Sequence, residues 1–318
     1  MARPAVMHMI SPEKHVSPFD VNMAADAGFD VIATYGEVGL KELTGLVQDM
    51  IFSRSPKDAR RTALFIGGRD AVLALDMLEK AKKAMMAPFV ISVFADPSGS
   101  FTTAAAMMAL IEKNLREEGG LRGRRVTIFG AGGTVGIAAA VLAAKGEAEV
   151  TLASHRGRVA AEQRAAELQK RFEVEVNATD GSSSEAKADG VRDAEIVITA
   201  GPPGVQILGK KELEGAKSLK AVADVNAVPP AGIEELGISD MAKPLAGSSA
   251  IGFGPLAIGN VKFKTQHQLL NMPGSISSAA RMDCGRCWRS TRCRLGGDCR
   301  ASPLSASRPA WLQMRWLR

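Results

Sequence analysis

The run Val126-Thr-Ile-Phe-Gly130-Ala-Gly132-Gly133-Thr134-Val135-Gly136 joins a short β-rich stretch to an Ala-rich one. Gly130 permits a tight turn, and Gly132 lets the backbone come close to a pyrophosphate. A helix opening near Thr134 offers free N–H groups and its positive dipole end, with Gly133 leading into it. Val135 stands where the third glycine of the usual spacing belongs and Gly136 follows one place late, so helix–strand packing must differ slightly. A lone Gly-x-Gly is often a plain turn. Here a strand precedes it, a helix follows and a second strand comes next, which is the context dinucleotide binding requires.

About twenty residues further on, a carboxylate at the end of the second strand would grip the ribose of NAD. The sequence has Ser154-His155-Arg156 instead. A hydroxyl, an imidazole and a guanidinium suit a 2′-phosphate, since Arg donates two charge-assisted bonds to phosphate oxygens. NADP is therefore favoured and NAD remains compatible; the bland alternative is a solvated basic turn. Two further turns, Thr199-Ala200-Gly201-Pro202-Pro203-Gly204 and Asp224-Val-Asn226-Ala-Val-Pro229-Pro230, each follow a strand. Carboxyl ends of strands are where doubly wound sheets bind ligands, so Ala200 and Asn226 are expected in the wall around the nicotinamide.

The elements around these residues alternate. Val31–Tyr35, Thr62–Ile66 and Phe89–Phe94 read as strands, and Asp70–Met86 and Thr102–Glu118 as helices, the latter closed by Gly119-Gly120. After the basic hinge 121–125, strands are expected at Val126–Phe129, Glu149–Ala153, Glu173–Asn177, Glu195–Ala200 and Ala221–Val225. Helices are expected at Thr134–Lys145 and Arg158–Arg171, and Gly181–Ser184 as a polar turn. The succession predicts an α/β protein: an N-terminal α/β domain over 1–120, then a Rossmann-type doubly wound parallel sheet over 121–260. No internal repeat is evident.

The formal charge is +6, but nine Arg against two Asp in 272–318 give that segment +7 and leave the body at −1. A basic patch for nucleic acid is excluded on that arithmetic. No apolar run approaches the roughly 20 residues of a membrane span, and Glu13, Lys14 and Asp20 interrupt the start of the chain, so a cytoplasmic protein is expected. All four Cys and all three Trp fall within 272–318, which lacks Val, Phe, Tyr, Lys and Glu. The irregular Cys284, Cys287, Cys293, Cys299 spacing argues against a zinc module, so no metal is expected. The segment reads as an aberrant, disordered tail, and its composition as a reading-frame error near 270–273.

Taken in order, the Gly130–Gly136 loop, Thr199-Ala-Gly, Asp224-x-Asn-Ala-x-Pro-Pro, Gly99-Ser-x-Thr102-Thr-Ala-Ala-Ala and Gly259-x-x-Lys262-x-Lys264 resemble the NAD(P)-dependent methylenetetrahydromethanopterin dehydrogenases of methylotrophic bacteria. The resemblance covers roughly 1–270. It implies an interdomain cleft, residues 261–271 packing back on the first domain, and a homo-oligomer, possibly a trimer. It also implies oxidation of a methylene-bridged tetrahydromethanopterin carrier to the methenyl form, with hydride passing to NADP or NAD. Family members continue with helical sequence where this chain turns into the Arg-rich tail.

The resemblance places Asp20, in Ser17-Pro-Phe19-Asp20-Val, beside the pterin with Phe19, and puts Lys262 and Thr102 near it. From the residues alone, Asp20 equally caps a helix starting near Val21, Thr102 is an N-cap, and Lys262 is an exposed helix residue with Lys264 an equal candidate. Asp20 and Lys262 are the expected catalytic pair. A folate-linked methylene dehydrogenase shares the chemistry, and a non-catalytic NADP-binding regulator shares the nucleotide site.

Overall fold

The computed structural model describes residues 3–130, 132–271, 281–282 and 284–296. They form two compact units. One takes the residues up to Thr102 and the described part of Phe263–Cys287, the other Thr103–Lys262 and the described residues from Trp288 on. The first boundary falls in the opening turns of a helix, well before the basic hinge 121–125 expected from sequence.

The first unit runs β1 (Val6–Ile10), α1 (Pro18–Asp26), β2 (Val31–Tyr35), α2 (Leu40–Phe52), β3 (Thr62–Ile66), α3 (Ala71–Ala84), β4 (Ser92–Ala95) and the start of α4 (Ser100–Asn114). Its strands pair in the order β4-β3-β1-β2, all parallel. All five residues of β3 are buried, as expected of a parallel strand covered on both faces. Asp70 caps α3 by accepting N–H bonds from Val72 and Leu73 at 2.8 and 2.9 Å. The helix runs Ala71–Ala84, so the expected Asp70–Met86 loses its cap residue at the start and Met85 and Met86 at the end. The fourth strand begins at Ser92 rather than Phe89, and α4 ends at Asn114, followed by a 3₁₀ turn over Arg116–Glu118.

The second unit continues with β5 (Arg125–Phe129), α5 (Thr134–Lys145), β6 (Glu149–Ser154), α6 (Arg158–Phe172), β7 (Val176–Asp180), α7 (Ser184–Val191) and β8 (Ile196–Thr199). It closes with α8 (Lys210–Leu213), β9 (Ala221–Asp224), β10 (Met241–Pro244), β11 (Ile251–Phe253) and the first half of α9 (Pro255–Leu270). The sheet order is β10-β11-β9-β8-β5-β6-β7, with β10 antiparallel at the edge. Without β10, the spatial order is the 3-2-1-4-5-6 of the doubly wound dinucleotide fold, reversing between β5 and β8. The third strand starts at Val176, three places later than expected. The polar turn at Gly181–Ser184 contains a cap, since Ser183 Oγ accepts the Ala186 N–H at 3.1 Å.

Part of the segment expected to be disordered is ordered. β12 (Arg281–Met282) adds to the first sheet beside β4 in parallel register, and α10 (Cys284–Arg294) follows. Cys287, Trp288 and Thr291 are buried, and Trp288 is 1% exposed. A methyl built on Gly146 would stand 3.3 Å from the Trp288 ring, so the missing side chain is what admits the indole. Arg292 pairs with Glu112 at 2.9 Å, and Arg116 donates to the Gly296 carbonyl at 2.9 Å. One large apolar side chain with Cys and Thr at helical spacing makes a buried face that a search for aliphatic periodicity passes over. The rest of the expectation for 272–318 lies outside the described residues. Among the described residues no helix is long and apolar enough to cross a membrane, and no cluster of three His, Cys, Asp or Glu side chains is placed to hold a metal.

Candidate active site

The switch point carries the first site. Gly130 follows β5 with φ +86°, a conformation that L side chains rarely adopt. A Cβ at Gly130 would lie 2.4 Å from the Ala200 carbonyl oxygen, so the turns after β5 and β8 touch backbone to backbone. Gly132 is the opposite case, with nothing within 4 Å of where a Cβ would stand. The turn closes through the Gly133 N–H on the Gly130 carbonyl at 3.1 Å. Gly133 is the N-cap of α5 and has no side chain to satisfy that helix's first N–H groups. The open approach at Gly132 and the uncapped helix start fit a pyrophosphate.

A cavity of about 580 Å³ extends from this loop. Gly130, Gly132, Gly133, Thr134, Val135, Ser154, His155, Arg156 and Ala200 all line it, so nine of the expected cofactor residues share one wall system. Ser154 Oγ accepts the Arg156 N–H at 3.1 Å and so shapes the basic turn. Asn226 is not in the lining. Its Oδ1 accepts N–H bonds from Val228 at 2.9 Å and Gly204 at 3.2 Å, and its Nδ2 donates to the Pro230 carbonyl at 3.0 Å. Asn226 therefore ties the two Pro-rich turns together behind the cavity wall.

Asp224 stands under that turn with no exposed surface. Its carboxylate accepts from Thr199 Oγ1 at 2.8 Å, the Gly232 N–H at 2.7 Å and the Asn226 N–H at 3.2 Å. Burial pushes its pKa up, opposed by those hydrogen bonds. A raised folded-state pKa means that the charge weakens the fold as pH climbs from the ordinary carboxylate range through the raised value, and the effect is absent below that range. Asp224→Ala is expected to lower stability by about 2 kcal/mol, because three buried donors lose their acceptor while one desolvated charge is relieved. Denaturant unfolding at neutral pH measures this, and a loss below about 0.5 kcal/mol would remove the carboxylate from its structural role.

In the first unit, Ser17 is the N-cap of α1 and Pro18 its first residue, so Asp20 lies within the first turn rather than at the cap. Asp20 is 3% exposed and accepts from Gln266 Nε2 at 2.8 Å. Phe19, its neighbour, is half exposed. Thr102 is fully buried, and its hydroxyl donates to Asp96 Oδ2 at 2.6 Å. The capping role expected of Thr102 belongs to Asp96, whose Oδ1 accepts the N–H groups of Phe101 and Thr102 at 2.8 and 3.2 Å. On α9, Lys262 is buried and Lys264 exposed, which corrects the reading of Lys262 as a surface lysine and separates the two candidates. Gln266 follows Lys262 by one turn and shares its face. Sequence reasoning passed over Gln266, whose signal was that i,i+4 spacing.

A Rossmann unit with a glycine-rich loop at its switch point, preceded by a second parallel-sheet α/β unit, defines a two-domain α/β protein of the nucleotide-binding kind. Quinate dehydrogenase from Corynebacterium glutamicum, solved in complex with NAD, shares the fold at a TM-score of 0.52 and 15% identity, over 90% of this chain and 98% of that one. A family model for the N-terminal region of methylene-tetrahydromethanopterin dehydrogenase matches residues 18–98. The NAD(P)-dependent methylenetetrahydromethanopterin dehydrogenase of Methylorubrum extorquens is 47% identical over 268 residues, 84% of this chain and 90% of that protein. The bifunctional protein MdtA of the same organism is 36% identical over 248 residues, 78% and 84% of the two chains. The chain belongs to the methylenetetrahydromethanopterin dehydrogenase family.

Proposed function

We propose that this chain oxidises a methylene-bridged tetrahydromethanopterin-type carrier to its methenyl form, with NADP preferred over NAD, in one-carbon metabolism. Beside the family, the observation that carries the reading is that the glycine cradle and the basic Ser154–Arg156 turn line one cavity. When bound, the nicotinamide ring accepts the hydride. The carbon that loses it is flanked by two nitrogens that stabilise the resulting cation, so no general base is obligatory. The protein's part is then positioning and electrostatics.

Gly132 and the α5 N-terminus hold the pyrophosphate, and Ser154, His155 and Arg156 take the adenosine 2′-phosphate. Asp20 favours the developing cation with its carboxylate, Phe19 offers an apolar face to the pterin, and Lys262 hydrogen-bonds the pterin's polar groups. Thr102 acts on the same region through Asp96 and the start of α4. An assay at the reduced-nicotinamide absorbance band, with methanopterin- and folate-type carriers and both cofactors, tests the reading. Faster turnover of the folate carrier would move the enzyme to that substrate, and nucleotide binding without turnover would make it a regulator.

Arg156→Ala is expected to weaken NADP binding about tenfold or more while leaving NAD binding nearly unchanged, since one charge-assisted contact is lost only where the phosphate is present. Titration with both nucleotides measures it. Equal losses would show that the turn does not read the 2′-phosphate.

A further inference from the structure

The dinucleotide cavity holds a second guanidinium that the basic turn does not account for. Ala160, Ala161 and Arg164 of α6 line it together with Leu152, Ala153 and Val225, and no Asp or Glu is among its lining residues. Positions 160, 161 and 164 fall on one face of the helix, and helical side chains lean toward the N-terminus. A side chain at 164 can therefore swing back over the small Ala160 toward Gly157 and the Ser154–Arg156 turn once it leaves Glu167. Its side chain is 28% exposed, against 70% for Arg158 on the same helix.

A guanidinium on an apolar wall needs an anion. In this structure Arg164 is paired with Glu167 at 2.5 Å, three residues along the helix. Glu167 is 62% exposed and stands outside the cavity lining. An exposed i,i+3 pair is weak and readily exchanged for a better-matched phosphate.

We infer that Arg164 is a specificity-determining residue that joins Arg156 on the adenosine 2′-phosphate of NADP, giving up Glu167 when that phosphate binds. The inference rests on the NADP reading above and adds a residue to it. Two guanidiniums match the dianionic charge of a 2′-phosphate, whereas the ribose hydroxyls of NAD are usually held by a carboxylate, and this wall has none.

Calorimetric titration of the full chain with NADPH, NADH, 2′,5′-ADP and 5′-AMP tests it without turnover. Arg164→Gln is expected to weaken NADPH and 2′,5′-ADP about tenfold or more, with NADH and 5′-AMP within about twofold. Glu167→Gln is expected to strengthen NADPH by roughly two- to threefold, because the competing carboxylate is gone. If Arg164→Gln unfolds at a lower temperature than the parent without nucleotide, Arg164→Lys is titrated instead. It keeps the charge but loses the fork and is expected to weaken NADPH selectively, by less than Gln. Equal losses for NADPH and NADH would place Arg164 against the part both nucleotides share and overturn the inference. A silent Arg164→Gln beside a selective Arg156→Ala would overturn it and leave the NADP reading standing. Loss of selectivity in neither variant would remove both.

Discussion

Gly130→Ala is expected to abolish dinucleotide binding and to cost the fold about 3 kcal/mol or more. Its Cβ would meet the Ala200 carbonyl oxygen at 2.4 Å, the carbonyl carbon at 2.5 Å and the Gly201 nitrogen at 2.8 Å, all main-chain atoms. Relief would have to come from parting the turns after β5 and β8, and the left-handed φ of +86° adds its own strain. Gly132→Ala makes the informative contrast. Its new methyl meets nothing within 4 Å, so stability should change by no more than about 0.5 kcal/mol. The same methyl occupies the approach a pyrophosphate needs, and nucleotide affinity should fall about tenfold or more. Thermal unfolding without nucleotide and titration with NADPH separate the two effects. Wild-type affinity in Gly132→Ala would mean that the loop is not the cradle.

That contrast also marks what a sequence can carry. Local signals were readable where chemistry and backbone geometry coincide: the glycine loop and the alternation of strand and helix follow from short-range rules. The 3-2-1-4-5-6 order follows from the βαβ succession once crossovers are right-handed. Long-range partners were not readable. Nothing near Asp224 announces Thr199 and Gly232, and nothing near Asp20 announces Gln266, because each pair is joined only by the fold. Asn226 shows the fold's side of such a position. Its place at a strand end pointed to ligand contact, while its three hydrogen bonds turn it to the protein. The burial of Lys262 was hidden because a helix charge is solvated by default, and α10 because Trp288 with Cys and Thr is a buried face written in residues seldom counted as core.

Lys262→Ala and Asp20→Ala are each expected to lower the rate on the methylene carrier by roughly tenfold to thousandfold, the range for lost positioning or electrostatics. NADP affinity should stay nearly unchanged, because neither residue lines the cavity at the Gly130 loop. Lys264→Ala is the control: exposed on α9 and expected to be mild. Should Lys264 prove the damaging position while Lys262 is silent, the assignment between the two lysines is reversed even with the family correct. Asp20→Asn refines the test. An asparagine keeps the acceptor that Gln266 Nε2 reaches at 2.8 Å and discards only the charge. If the carboxylate acts on a developing cation, Asn should be nearly as slow as Ala, with the larger effect on kcat. If Asp20 serves only to anchor Gln266 and α9, Asn should restore the rate and Gln266→Ala should reproduce Asp20→Ala. Full activity in all of Lys262→Ala, Asp20→Ala and Lys264→Ala, with the fold intact, would move the pterin site elsewhere in the chain.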